Sequence, residues 1–143
     1  MLVASLWLFS VWGHSMMPGN ASDAESKFVL SLLQSCFGWT QLPITNTLLR
    51  KCGHFFEYLI LGMLLFQNAR FYAGSGKKKF FFCVLFALLV AIIDEKIQYY
   101  VPGRSSQALD VLIDMSGAFL GVALFFLLRG HTQKKRERRK DQA

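Results

Sequence analysis

Five carboxylates stand in the hydrophobic body of this chain, and four of them fall in one stretch, DEKIQYYVPGRSSQALDVLIDMSGAFLG: Asp94, Glu95, Asp110 and Asp114. The fifth, Glu57, follows Arg50, Lys51 and His54 in RKCGHFFEY, which ends on Tyr58. Acids, an imidazole and guanidinium groups in such company can do three things. They can balance one another as a structural ion-pair network, with Arg50 and Arg104 serving the acids. They can form a pocket for the anionic group of a ligand, where Arg104, freed by the preceding Gly103, takes a phosphate or carboxylate bidentately. They can form an active site, with His54 or Glu57 as general base, or with a metal held by His54, Glu57 and the aspartates. No HExxH, CxxC, GxSxG or Walker pattern accompanies them, so the sequence assigns neither a metal nor a cofactor.

These residues need elements to hold them, and their spacing names helices. Asp110, Asp114, Gly117 and Gly121 recur at i, i+4, i+7 and i+11; Asp94 and Gln98 at i, i+4; Arg50, His54, Glu57 and Leu61 share a third stripe. Gly117-x-x-x-Gly121 lets a second helix approach closely, within the chain rather than between copies, although a homo-oligomer stays open. The elements are too apolar for an ordinary soluble fold: 53% of the 143 residues are hydrophobic, with 14 Phe and a mean hydropathy of +0.34. The expected architecture is all-α, an integral membrane four-helix bundle with a short amphipathic helix between the first two spans. Residues 1–17 form the first transmembrane helix, or an uncleaved signal-like segment. Residues 18–49 form an extracytoplasmic loop with the amphipathic helix, opened by a Ser22-x-x-Glu25 capping box and ended by Pro43. There Val29, Leu32, Leu33 and Cys36 share an apolar face that lies on the bilayer or covers the helix ends. Residues 50–128 form a three-helix core capped from Asn46 or Thr47, and residues 129–143 a basic cytoplasmic tail.

Charge sets the orientation. Eleven of the 16 basic residues lie in Arg70–Lys79 and Arg129–Lys140, each directly after an apolar run. Two spans separate these segments, so both are cytoplasmic, as is the N-terminus, and the chemistry-bearing residues gather at the outer face. The same distribution argues against nucleic acid and for anionic lipid as the partner of the tail. Fourteen residues, about 21 Å of helix, separate Asp114 from Arg129, which places Asp114 below the outer surface of a hydrocarbon layer of about 30 Å. A carboxylate there costs roughly 2.5–3.5 kcal/mol and must face inward and be paired. The three cysteines do not make a disulfide framework; Cys52 and Cys83 read as small core hydrophobes.

The two blocks just quoted resemble the VanZ-like family of bacterial membrane proteins from Arg50 to about Phe126. The matching positions are Lys51, His54, Glu57 and Tyr58; Asp94, Glu95 and Gln98; Pro102, Gly103 and Arg104; and Asp110, Asp114, Gly117 and Gly121. Asp114 stands where many members carry Asn. The resemblance implies a multi-pass protein of the bacterial cytoplasmic (inner) membrane and, through the family's founding member, a part in tolerance of teicoplanin-type glycopeptides. It implies membrane lipids, a lipid-anchored glycopeptide or a lipid-linked envelope precursor as partners. A membrane enzyme acting on a lipid-linked phosphate or ester, and a purely structural envelope partner, remain as alternatives.

Overall fold

The computed structural model describes residues 2–37, 45–104 and 107–140, with side chains to residue 130. All regular structure among them is helical: α1 (Leu2–Ser15), α2 (Gly19–Phe37), α3 (Asn46–Asn68), a 3-10 turn (Ala69–Phe71), α4 (Gly76–Tyr99) and α5 (Ala108–Lys140). α3 and α5 form the central pair, α4 packs on both, α1 leans on α3 and α4, and α2 lies against α3.

Small residues draw the central pair together. A Cβ at Gly117 would overlap the Phe55 carbonyl oxygen, one at Gly121 the Leu59 carbonyl oxygen, and one at Gly62 the Ala118 carbonyl oxygen. Each helix thus brings bare backbone to the other, the contact that small residues permit between spanning helices. Gly62 was not part of the expected stripe; it is the α3 counterpart of the two α5 glycines. Around the contact, Tyr58, Leu61, Ala87, Ala91, Ala118 and Val11 form a buried cluster. A second cluster, Phe66, Ala69, Cys83 and Val122, closes the far end, where Phe126 meets Phe66 and Phe80 edge to face.

Large apolar side chains cover much of the outside, and several charged and polar ones lie inside. Leu2, Leu6, Phe9, Phe81, Phe82, Leu89, Ile93, Leu112, Leu120 and Leu127 all face outward, while Asp94, Asp114, His54 and Gln98 are buried. Ala108–Gly130 of α5 is the one segment among the described residues long and apolar enough to cross a membrane. Only 28% of its most apolar window is buried, which is not how the core helix of a soluble protein sits. Tyr99 and Tyr100 are exposed at one end of α4 and Tyr72 just before the other, positions where aromatic rings meet a membrane–water interface.

Several local expectations are corrected. Helix α2 begins three residues before the Ser22 capping box. The Pro18 carbonyl already accepts from Ala21 and Ser22 N–H, and Gly19 N–H donates to the Pro102 carbonyl, so Ser22 lies inside the first turn and is buried. The inward face of α2 runs through Ser22 and Ser26, leaving Phe28, Val29 and Leu32 exposed. The cap of α3 is Thr45, whose hydroxyl accepts from Leu48 N–H at 3.2 Å, rather than Asn46 or Thr47. The basic loop is shorter than expected, because Ser75 caps α4 and puts Lys77–Lys79 on its first turn. α5 continues as a helix through the basic residues to Lys140. All three cysteines are free, and Cys52 is exposed rather than in the core. Pro43, expected to end the amphipathic segment, lies outside the described residues.

Candidate functional site

Four helices deliver their polar residues to one end of the bundle. α3 supplies Lys51, His54, Glu57 and Tyr58 from its first half; α4 supplies Asp94, Glu95 and Gln98 from its last turns; α5 supplies Asp110 and Asp114 from its first. α1 adds His14 and Ser15 at its C-terminal end. Chain direction accounts for this. α4 reverses the course of α3, and α5 that of α4, so an α3 start, an α4 end and an α5 start share a level.

The innermost group is His54 with three acids. Its Nδ1 lies 3.9 Å from Glu57 Oε2, 3.9 Å from Asp94 Oδ2 and 3.9 Å from Asp114 Oδ1, beyond hydrogen-bond reach of each. His54 is 7% exposed, Asp94 0% and Asp114 1%. Both His54 nitrogens, both Asp114 oxygens, Asp94 Oδ1, Glu57 Oε2 and the Tyr58 hydroxyl are buried without a hydrogen-bond partner. Asp94 is held from one side: Gln98 Nε2 donates to its Oδ2 at 3.1 Å and to Ser15 Oγ at 3.4 Å. One ligand atom each from His54, Asp94 and Asp114 lie within 4.8 Å of one another, a spacing at which a cation could be held.

A second layer lies outside it. Lys51 Nζ pairs with Asp110 Oδ1, joining α3 to α5. Glu95 Oε2 accepts from Gln107 N–H at 3.1 Å, just before the first turn of α5. Between them a cleft of about 10 Å³, room for one water, is lined by Arg50, Lys51, His54, Glu95, Gln98, Asp110, Ile113 and Asp114. Arg50 is half-buried there and has no ion-pair or hydrogen-bond partner among the described residues. The larger cavity, about 690 Å³, is an apolar groove between α1, α3 and α4 near Leu8, Leu65 and Phe86, at the other end of the bundle. Its wall carries none of the acids and offers none of this chemistry.

Arg104 differs from its expected place. It does not reach Asp94, Glu95 or Asp110. Its Nε donates to the Met17 carbonyl at 3.1 Å and its Nη2 to the His14 carbonyl at 2.9 Å, closing the C-terminal end of α1. The last carbonyls of a helix lack intrahelical partners and sit at the negative end of its dipole, so a cation is drawn there. Two features fix the reach. Gly103 adopts φ +77°, and a Cβ at Gly19 would overlap the Gly103 carbonyl, so the Pro102–Gly103 turn rests directly on the α1–α2 junction. Burial, then the nearby Arg50, lower the Arg104 pKa below its ordinary value, with Asp94 and Glu57 acting against them; a guanidinium stays charged regardless.

His14 was missed by sequence reasoning. Its Nδ1 is 2.7 Å from Glu57 Oε1 and its Nε2 3.2 Å from Glu25 Oε2, and its ring stacks on His54 with centroids 5.8 Å apart. The available signal was that it is the one titratable side chain in a stretch, residues 1–22, without Asp, Glu, Lys or Arg. Trp7 Nε1 donating to the Glu57 carbonyl at 2.9 Å ties the same two helices together.

The described residues form an all-α bundle with acids and an imidazole buried at one end, many large apolar side chains outside, and one helix long and apolar enough to cross a membrane. The sequence model of the family described as VanZ/LLP1 matches residues 1–129, and the chain belongs to this VanZ-like family. The match takes in α1 and α2, ahead of the two blocks that carry the resemblance by eye. No curated protein and no solved structure matches the chain.

Proposed function

We propose that the protein is a four-span inner-membrane protein of the bacterial envelope, with both termini cytoplasmic, that binds an anionic group at the mouth of its outer-face cleft, where Arg50 stands. The occupant is the head group of a membrane lipid, a lipid-linked envelope precursor or a lipid-anchored glycopeptide, and the consequence is tolerance of teicoplanin-type drugs. Family membership supports the envelope setting. The observation that carries the binding reading is Arg50. It lies half-buried at the cleft with no ion-pair or hydrogen-bond partner among the described residues, while the neighbouring Lys51 is engaged by Asp110. A half-buried guanidinium left unpaired is suited to an arriving phosphate or carboxylate.

The test is Arg50→Ala, read for folded yield, thermal stability and teicoplanin tolerance together. No hydrogen bond or ion pair among the described residues is lost, so yield and stability stay close to the wild-type level. One charge-assisted bond contributes about 1.5–3 kcal/mol, so binding weakens roughly 10- to 100-fold and tolerance disappears. Unchanged tolerance in a normally expressed Arg50→Ala strain refutes the reading. The enzyme alternative, acting on a lipid-linked phosphate or ester, draws on His54 set among carboxylates beneath the same cleft. It requires His54 or Glu57 for turnover of a substrate.

A further inference from the structure

The group around His54 is incomplete as it stands. Three carboxylates and one imidazole meet from α3, α4 and α5, and among them the acceptor atoms outnumber the protons that could join them. Buried polar atoms in native proteins are nearly all satisfied, and a carboxylate without a partner is the costliest exception. Here Asp114 has neither oxygen satisfied at 1% exposure, and His54 neither nitrogen at 7%. These are unpartnered side chains more than nine-tenths buried, aimed at one point.

We propose that His54, Asp94 and Asp114 bind one divalent first-row metal ion, Zn2+ or Mn2+, with Glu57, whose Oε2 lies 3.9 Å from His54 Nδ1, as the neighbouring carboxylate. The distances support it. Two ligand atoms 3.9 Å apart can both be bound at about 2.1 Å by one ion, with an open angle between them. The widest separation in the set, up to 4.8 Å, must close by about 1.4 Å to reach the roughly 3.4 Å that two ligands at that bond length span at a tetrahedral angle. The ligand types narrow the ion. An imidazole disfavours Ca2+ and Mg2+, which take oxygen, and the absence of thiolate in the set disfavours Cu(I) and iron–sulfur clusters. Charge supports it too: a divalent ion offsets two of the three negative charges that Glu57, Asp94 and Asp114 carry when ionised. Gln98 and Ser15 already orient Asp94 from behind, as outer partners orient metal ligands. Only a narrow cleft connects the place to the surface, so the ion keeps at most a water as its remaining ligand.

This goes beyond the anion-binding reading, because Arg50 is outside the ligand set and either can fail alone. The experiment uses the full chain, solubilised in mild detergent, stripped with EDTA and dialysed against Zn2+ or Mn2+. The expected result is about one bound equivalent and a higher melting temperature. His54→Gln and Asp114→Asn weaken binding by at least roughly 100-fold. Cys36→Ser combined with Cys52→Ser, which removes the exposed thiols, leaves the stoichiometry at one. Should the ligand variants fail to fold, X-ray absorption on the zinc-loaded wild type decides. A nitrogen and oxygen shell with one imidazole supports the site, and a sulfur shell or a fully hydrated ion overturns it. No bound equivalent, or equal binding by wild type, His54→Gln and Asp114→Asn, also overturns it.

Discussion

Replacing Arg104 discriminates between a guanidinium that holds the fold and one that waits for a ligand. The side chain makes two hydrogen bonds, to the carbonyls of Met17 and His14, at 3.1 and 2.9 Å. A bond from an ionised donor contributes about 1.5–3 kcal/mol, and these are only half-buried, so the lower figure applies to each. Arg104→Ala should therefore cost about 3 kcal/mol. Arg104→Lys, whose ammonium can reach one carbonyl but not span both, should cost about half of that. At roughly 4 °C per kcal/mol for a domain of this size, the melting temperature falls by about 12 °C for alanine and about 6 °C for lysine. The assay is thermal unfolding in detergent, followed by circular dichroism, with membrane yield measured alongside. A lysine variant that melts with the wild type but has lost drug tolerance would refute the capping role and return Arg104 to the ligand.

Three further outcomes are expected. Gly117→Ile and Gly121→Ile should each lower folded yield and cost at least about 3 kcal/mol, since a side chain there meets the α3 backbone rather than a movable neighbour; wild-type yield and stability would mean that the α3–α5 contact is wrong. Gly62→Ala should behave like them from the other helix, with a melting point indistinguishable from wild type as the contrary result. Cysteine introduced at Ser75 should stay unlabelled by an impermeant reagent in intact cells while one at Ser105 reacts, in a Cys36→Ser, Cys52→Ser background because both native thiols are exposed; labelling of Ser75→Cys from outside would place the polar site on the cytoplasmic face.

Helix positions, and which residues would share a level, could be read because apolar period and charge placement are local signals. His54, Asp94 and Asp114 came out as neighbours from spacing within helices and an antiparallel course, and the structure places them together. What could not be read was the partner of each charge. Arg104 stands between Glu95 and Asp110 in the sequence, yet it bonds to carbonyls 87 and 90 positions away. No pattern of side chains announces a backbone acceptor. The α2 start failed for a related reason, since the Gly19 N–H finds its acceptor in a turn far along the chain in place of a local cap. Gly62 passed unnoticed because one glycine has no period, whereas Gly117 and Gly121 together do.

The seat of the Pro102–Gly103 turn on Gly19 sets an order in time. A ribosome delivers α1 and the α1–α2 junction more than eighty residues before the turn that closes them, and His14 and Met17 have no guanidinium at their carbonyls until residue 104 has emerged. The partners that Trp7 and His14 find on Glu57 are in place long before that, and the arrival of a single arginine late in translation is what shuts the end of the first helix.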